Sequence, residues 1–101
     1  MKVFLSELAE SKLLKLSEYL LEDWNLKTRD KFISKLNDKI KQISIQPDSC
    51  PKSSEFKNLY KCVVTKQTTF FYRIIAERKV IEIITIFDTR QNPDKLKKDI
   101  N

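Results

Sequence analysis

The stretch Thr68-Thr69-Phe70-Phe71-Tyr72-Arg73-Ile74-Ile75-Ala76-Glu77-Arg78-Lys79-Val80-Ile81-Glu82-Ile83-Ile84-Thr85-Ile86-Phe87 decides how this chain folds. Both halves are rich in β-branched and aromatic residues, which fit a pleated, half-buried surface. The polar pair Glu77-Arg78 between them predicts a turn, so the stretch reads as an antiparallel hairpin of two strands, Thr68 to Ile75 and Val80 to Phe87. With Glu77-Arg78 as a two-residue loop, residues pair when their numbers sum to 155. Arg73 then faces Glu82, and Tyr72 faces Ile83. Alternation places Phe71, Arg73, Ile75, Val80, Glu82, Ile84 and Ile86 on one face, and Phe70, Tyr72, Ile74, Ile81, Ile83 and Phe87 on the other. The first face carries the charges and is expected to point outward. It also shows Phe71, Ile84 and Ile86, and an apolar surface with charged points reads as a partner site.

Upstream, Phe56, Tyr60, Cys62, Val63 and Val64 predict a further strand, joined to the hairpin by a turn at Lys66-Gln67. Pro47 and Pro51 bracket a loop before it, since neither fits a helix interior. Further back the hydrophobic period changes. Ile33, Leu36, Ile40 and Ile43, with Phe32 beside them, predict a helix from about Arg29 to Ile45 capped by Thr28. Leu13, Leu16, Leu20 and Trp24, widened by Leu14 and Leu21, predict another from a Ser6 cap to about Trp24. Trp24 is read as closing that stripe, Tyr19 and Tyr60 as core or edge residues, and Tyr72 as core. Lys2 to Leu5 is a short strand expected to join the sheet, and residues 93–101 form a basic tail of one or two helical turns. The fold class is α+β: a single domain over residues 1–101, with an N-terminal helical hairpin on one face of a small twisted antiparallel sheet.

Composition restricts the chemistry. The chain has 101 residues and a net charge of +6, with no His and no Gly. Without His there is no imidazole base for a Ser-His-Asp or Cys-His system. Without Gly there is no phosphate-binding loop or dinucleotide fingerprint. Cys50 and Cys62 lie in no CxxC spacing and read as small apolar fillers, and neither a metal nor a cofactor is expected. Residues 1–24 carry a net −2, residues 25–47 carry +4 and residues 48–101 carry +4. The basic excess on the second helix and the C-terminal half suits a nucleic acid, a ribosome or an acidic protein. A solvated Lys-rich helix face accounts for the same residues. The chain shows no signal-like or membrane-length apolar run, so a cytoplasmic location is expected.

Five segments, in this order and spacing, carry a family resemblance over about residues 2–95. They are Leu5-Ser6-Glu7-Leu8-Ala9-Glu10, the loop Pro47-Asp48-Ser49-Cys50-Pro51, Leu59-Tyr60-Lys61, Phe70-Phe71-Tyr72-Arg73-Ile74, and Ile86-Phe87-Asp88-Thr89-Arg90-Gln91-Asn92-Pro93. Together they resemble the RelE/ParE toxins of bacterial type II toxin–antitoxin systems, with Phe71-Tyr72-Arg73 closer to the ParE-like branch. The resemblance implies a growth-inhibiting toxin and a cognate antitoxin that wraps and neutralises it in a hetero-oligomer; members divide by target, and some have no known target. ParE-like members act on DNA gyrase by protein binding. RelE-like members are endoribonucleases that cut messenger RNA on the ribosome.

The nuclease branch places Lys and Arg on the central strands and a Tyr or His near the C-terminus. Lys61 and Arg90 match its cations and are the candidate catalytic residues. Val63 stands where RelE has a second lysine, Thr69 replaces an arginine, and no Tyr or His follows Arg90. Partner binding falls instead to Phe71, Arg73, Glu82, Ile84, Asp88 and Arg90. An Asp88–Arg90 turn contact would be an equally simple account of those two residues. A plain nucleic-acid-binding domain fits least well, because no aromatic residues interleave with the lysines.

Overall fold

The computed structural model describes residues 1–90, so the tail expected over 93–101 lies outside the described residues. Strand β1 (Lys2–Leu5) leads into helix α1 (Glu7–Asp23) and helix α2 (Leu26–Ile45). Strands β2 (Tyr60–Val63), β3 (Thr68–Ile75) and β4 (Val80–Asp88) follow. The sheet order is β1-β4-β3-β2. β2, β3 and β4 form the expected antiparallel meander, but β1 lies parallel to β4, which makes the sheet mixed. A parallel neighbour needs a crossover connection, and here the intervening chain includes both helices.

Local chemistry starts each helix. The Ser6 hydroxyl accepts a hydrogen bond from the Ala9 amide at 3.0 Å, the expected N-cap. The second helix begins earlier than the sequence suggested, because Asn25 is its cap: the Asn25 side-chain oxygen accepts from the Thr28 amide at 2.8 Å. Leu16 and Leu20 of α1, and Phe32, Leu36 and Ile43 of α2, pack onto Phe70, Tyr72, Ile81 and Ile83 of the sheet. Leu13, Ile33 and Ile40 flank that core, whereas Leu14, Leu21 and Trp24 are exposed. Trp24 does not close the buried stripe; it is the C-cap residue, 56% exposed.

The hairpin register holds only near its turn. Tyr72 pairs with Ile83, Arg73 with Glu82, Ile74 with Ile81 and Ile75 with Val80, all on the 155 sum. The loop is four residues long, a 3-10 turn over Ala76–Arg78 followed by Lys79 in the left-handed region at φ 53°. A two-residue loop of the common primed type would need one or two positive-φ positions, a strained demand on Glu77-Arg78. Beyond Tyr72 the register shifts by one, so that Phe71 pairs with Thr85, Phe70 with Ile86 and Thr68 with Asp88. Ile84 is the extra residue of a β-bulge.

The bulge reverses the assigned faces beyond it. Ile86 is 2% exposed and belongs to the core with Phe70, not to the outer face. Phe87 pairs with Thr69 and leaves the core face. The carbonyl freed at Ile84 accepts the Ser6 hydroxyl at 2.7 Å, while the Ser6 amide donates to the Ile83 carbonyl at 3.0 Å. One side chain thus caps α1 and seals the bulge. Ser6→Ala is expected to lower stability by about 2 kcal/mol, a lost cap plus an unpaired carbonyl. Chemical denaturation of the variant checks this, and a loss below about 0.5 kcal/mol would contradict it.

Candidate functional site

The most organised polar cluster forms where β4 ends, on the side the bulge decides. Asp88 is 1% exposed and accepts the Thr68 hydroxyl at 2.8 Å across the strand pair. The Arg90 guanidinium donates twice to Asp88, at 2.7 and 2.6 Å, and the Arg90 amide donates to the same carboxylate at 2.9 Å. The Arg90 guanidinium carbon lies 5.7 Å from the Tyr19 ring centre and 5.8 Å from that of Trp24. Cation–π attraction places the two aromatic residues as the flanks of the ion pair. Burial pushes the Asp88 carboxyl up, but the bonds from Arg90 and Thr68 and the Arg90 charge outweigh it and hold Asp88 below the usual carboxylate range. The hydrogen bond to Asp88 raises Arg90, against a smaller opposing effect of burial.

Arg90 also borders a depression of about 180 Å³ with Lys31 and Lys35 of α2, Thr65 and Gln67 of the β2–β3 turn, and an apolar floor that includes Phe32. Ligand pockets usually span about 300–1,000 Å³, so this recess suits one acidic side chain or one phosphate group. Asp88 balances Arg90, and Lys31 and Lys35 add further positive charge at the rim.

Lys61 stands elsewhere. It pairs with Phe71, and Phe71 with Thr85, three rungs or about 10 Å along the ladder from the Thr68–Asp88 pair. It borders a different depression, about 420 Å³, with Lys39, Cys50 and Cys62. The two candidate catalytic cations are therefore not brought together.

The remaining predicted positions divide. Arg73 donates to Glu82 at 2.7 Å, with Arg73 53% exposed and Glu82 17% exposed, as the register implied. Ile84 is half-buried at the bulge. Phe71 is 2% exposed, because Phe56 from the preceding loop packs edge-on over it at 5.4 Å. Phe71 and Asp88 thus offer no open surface. Sequence reasoning missed Thr68, Tyr19 and Trp24 as parts of the Arg90 cluster; the Thr68–Asp88 pairing becomes visible only once the register is shifted by the bulge. Among the described residues, no helix is long and apolar enough to cross a membrane.

Comparison with known proteins agrees with this architecture. No curated protein matches the chain. Among solved structures, the chain is similar to the chromosomal ParDE toxin–antitoxin system of P. aeruginosa, at 13% identity and a TM-score of 0.72, covering 87% of this chain and 95% of that one. It is similar to the YoeB/ParE toxin of Agrobacterium tumefaciens, at 17% identity and a TM-score of 0.63, covering 87% and 98%. A mutant of the E. coli toxin RelE in the free state shares 15% identity at a TM-score of 0.65, covering 98% and 92%. These likenesses share the fold of two helices on a four-stranded sheet. The family described as the ParE toxin of the type II toxin–antitoxin system parDE matches residues 3–93, nearly the whole described domain, and the chain belongs to that family.

Proposed function

We propose that this toxin arrests growth by binding a protein target such as DNA gyrase, and that a cognate antitoxin neutralises it. The observation that carries this reading is the engagement of Arg90 with Asp88, away from Lys61. Cleavage of RNA from its 2′-hydroxyl needs cations around one phosphate together with a proton donor and acceptor. Lys61 and Arg90 border separate recesses, and residues 91–101 contain no Tyr or His. Arg73, Glu82 and Ile84 on the outer face, and Arg90 at the strand end, are the positions proposed to meet a partner. The basic rim of Lys31 and Lys35 favours an acidic one. Antitoxin pairing draws further support from the ParDE system and from the RelBE toxin–antitoxin complex of E. coli, to which this chain is similar.

The alternative, a ribosome-dependent endoribonuclease, rests on Lys61 and Arg90 matching the cations of RelE-like enzymes. Controlled expression with 5′-end mapping of messenger RNA and a gyrase supercoiling assay separates the two. Growth arrest with intact messenger and inhibited supercoiling is expected. Codon-positioned cuts that vanish in Lys61→Ala, while arrest vanishes with them, would establish the nuclease instead.

A further inference from the structure

The loop between α2 and β2 runs back along β2 in a register that brings the two cysteines face to face. Lys52 forms an antiparallel bridge with Tyr60. The Ser53 amide donates to the Leu59 carbonyl at 2.8 Å, and the Lys61 amide donates to the Pro51 carbonyl at 2.9 Å. These bonds flank Lys52 and Tyr60, which are therefore a non-hydrogen-bonded pair. Continued two steps further, this register puts Cys50 opposite Cys62, in the next position of the same kind. Such pairs have Cα atoms about 4.5 Å apart, within the span of about 4.4–6.8 Å that a disulfide takes. Between the two pairs, Pro51 has no N–H, so the Pro51–Lys61 rung is held by one hydrogen bond only.

The side chains agree with the register. Cys50 and Cys62 are both free and buried, and both border the same depression beside Lys39 and Lys61. Cys50 is near enough to Cys62 to act on its titration. Burial first, and then the neighbouring Cys50, push the Cys62 thiol up to about 12. Cys50 is the less buried of the two, at 6% against 1%, and is the sulfur that a small oxidant reaches first.

We propose that Cys50 and Cys62 are a modification site that closes to a disulfide on exposure to a hydroperoxide and staples the loop of residues 46–59 to β2. The Cys50 sulfur attacks the peroxide oxygen and becomes a sulfenic acid; the O–O bond breaks, and the leaving oxygen departs as an alcohol, or as water from hydrogen peroxide. The Cys62 sulfur then attacks the Cys50 sulfur, the S–O bond breaks, and the hydroxyl leaves with the Cys62 proton as water. Two thiols are oxidised by two electrons and one hydroperoxide is reduced. A thiol reductant reverses the bond.

The test is to treat the folded protein with hydrogen peroxide and follow intact mass, thiol content and thermal unfolding. The expected product is monomeric, two hydrogen masses lighter, without free thiol, restored by dithiothreitol, and higher in Tm by about 10 °C. Cys50→Ala and Cys62→Ala should each lose the mass change and the Tm shift. The mass measurement on the unsubstituted protein stands even if a variant folds poorly. Retention of both thiols, an intermolecular cross-link, stable oxygen adducts on Cys50 alone, or a closed bond that leaves Tm unchanged would each overturn the proposal.

Discussion

Ile86→Asp is expected to abolish folding, whereas Ile84→Asp, two residues away on the same strand, leaves a folded domain. Ile86 is 2% exposed and packs with Phe70 in the core. Removing its side chain costs about 3 kcal/mol, and placing a carboxylate there without a partner costs several more. The sum is comparable to the whole stability of a small domain, about 5–15 kcal/mol. Ile84 is half-buried at the bulge, so its replacement costs about 1–2 kcal/mol. Strict alternation places both residues on one face and predicts similar effects. Circular dichroism and thermal unfolding of the two variants separate the bulged register from the regular one, and equal losses would contradict the bulge.

Arg90→Ala should cost about 3 kcal/mol at neutral pH and lower Tm by roughly 15 °C. It leaves the Asp88 carboxylate buried with only the Thr68 hydroxyl among its described side-chain partners. Asp88→Asn combined with Arg90→Ala should be more stable than Arg90→Ala alone, because no buried charge is then left unpaired. The pH dependence has a definite sign. In the unsubstituted protein Asp88 lies below its ordinary range, so its stabilising contribution is complete above the unfolded value near 3.9 and is lost as pH falls through the lower folded value. In Arg90→Ala the upward push of burial is opposed only by the Thr68 hydroxyl and the residue-90 amide. The folded value rises relative to the parent's, and the deficit of the variant should shrink as pH falls from 7 into the carboxylate range, about 4. Urea titrations from pH 7 down to about 4 measure this. A flat difference between parent and variant across that range would show that the ion pair does not hold the strand end.

A toxin whose strand end depends on the Asp88–Arg90 pair should lose activity in Arg90→Ala through lost structure, which a growth assay alone would mistake for lost catalysis. Stability and activity therefore have to be measured on the same variants.

Much of this protein was legible in the sequence. The three- and four-residue spacing of Leu13, Leu16 and Leu20, and of Ile33, Leu36, Ile40 and Ile43, determined two helices, because the helical period is a property of the local chain. The β-branched runs on either side of Glu77-Arg78 determined the hairpin and its register as far as Tyr72–Ile83, because pairing near a turn is set by the turn. The missing His and Gly excluded whole classes of chemistry without reference to any fold.

Contacts between distant parts of the chain decided the rest. The bulge at Ile84 is sealed by Ser6, 78 residues earlier, and no local pattern announces it. That one-residue shift turned Ile86 and Asp88 inward, paired Asp88 with Thr68, and brought Arg90 to Tyr19 and Trp24. Trp24 fell on the apolar period of α1 yet lies at its last turn, where the core has ended. Sequence spacing determines which face of an element is apolar, and only the packed tertiary structure decides where that face stops meeting a partner and which polar groups must then satisfy one another.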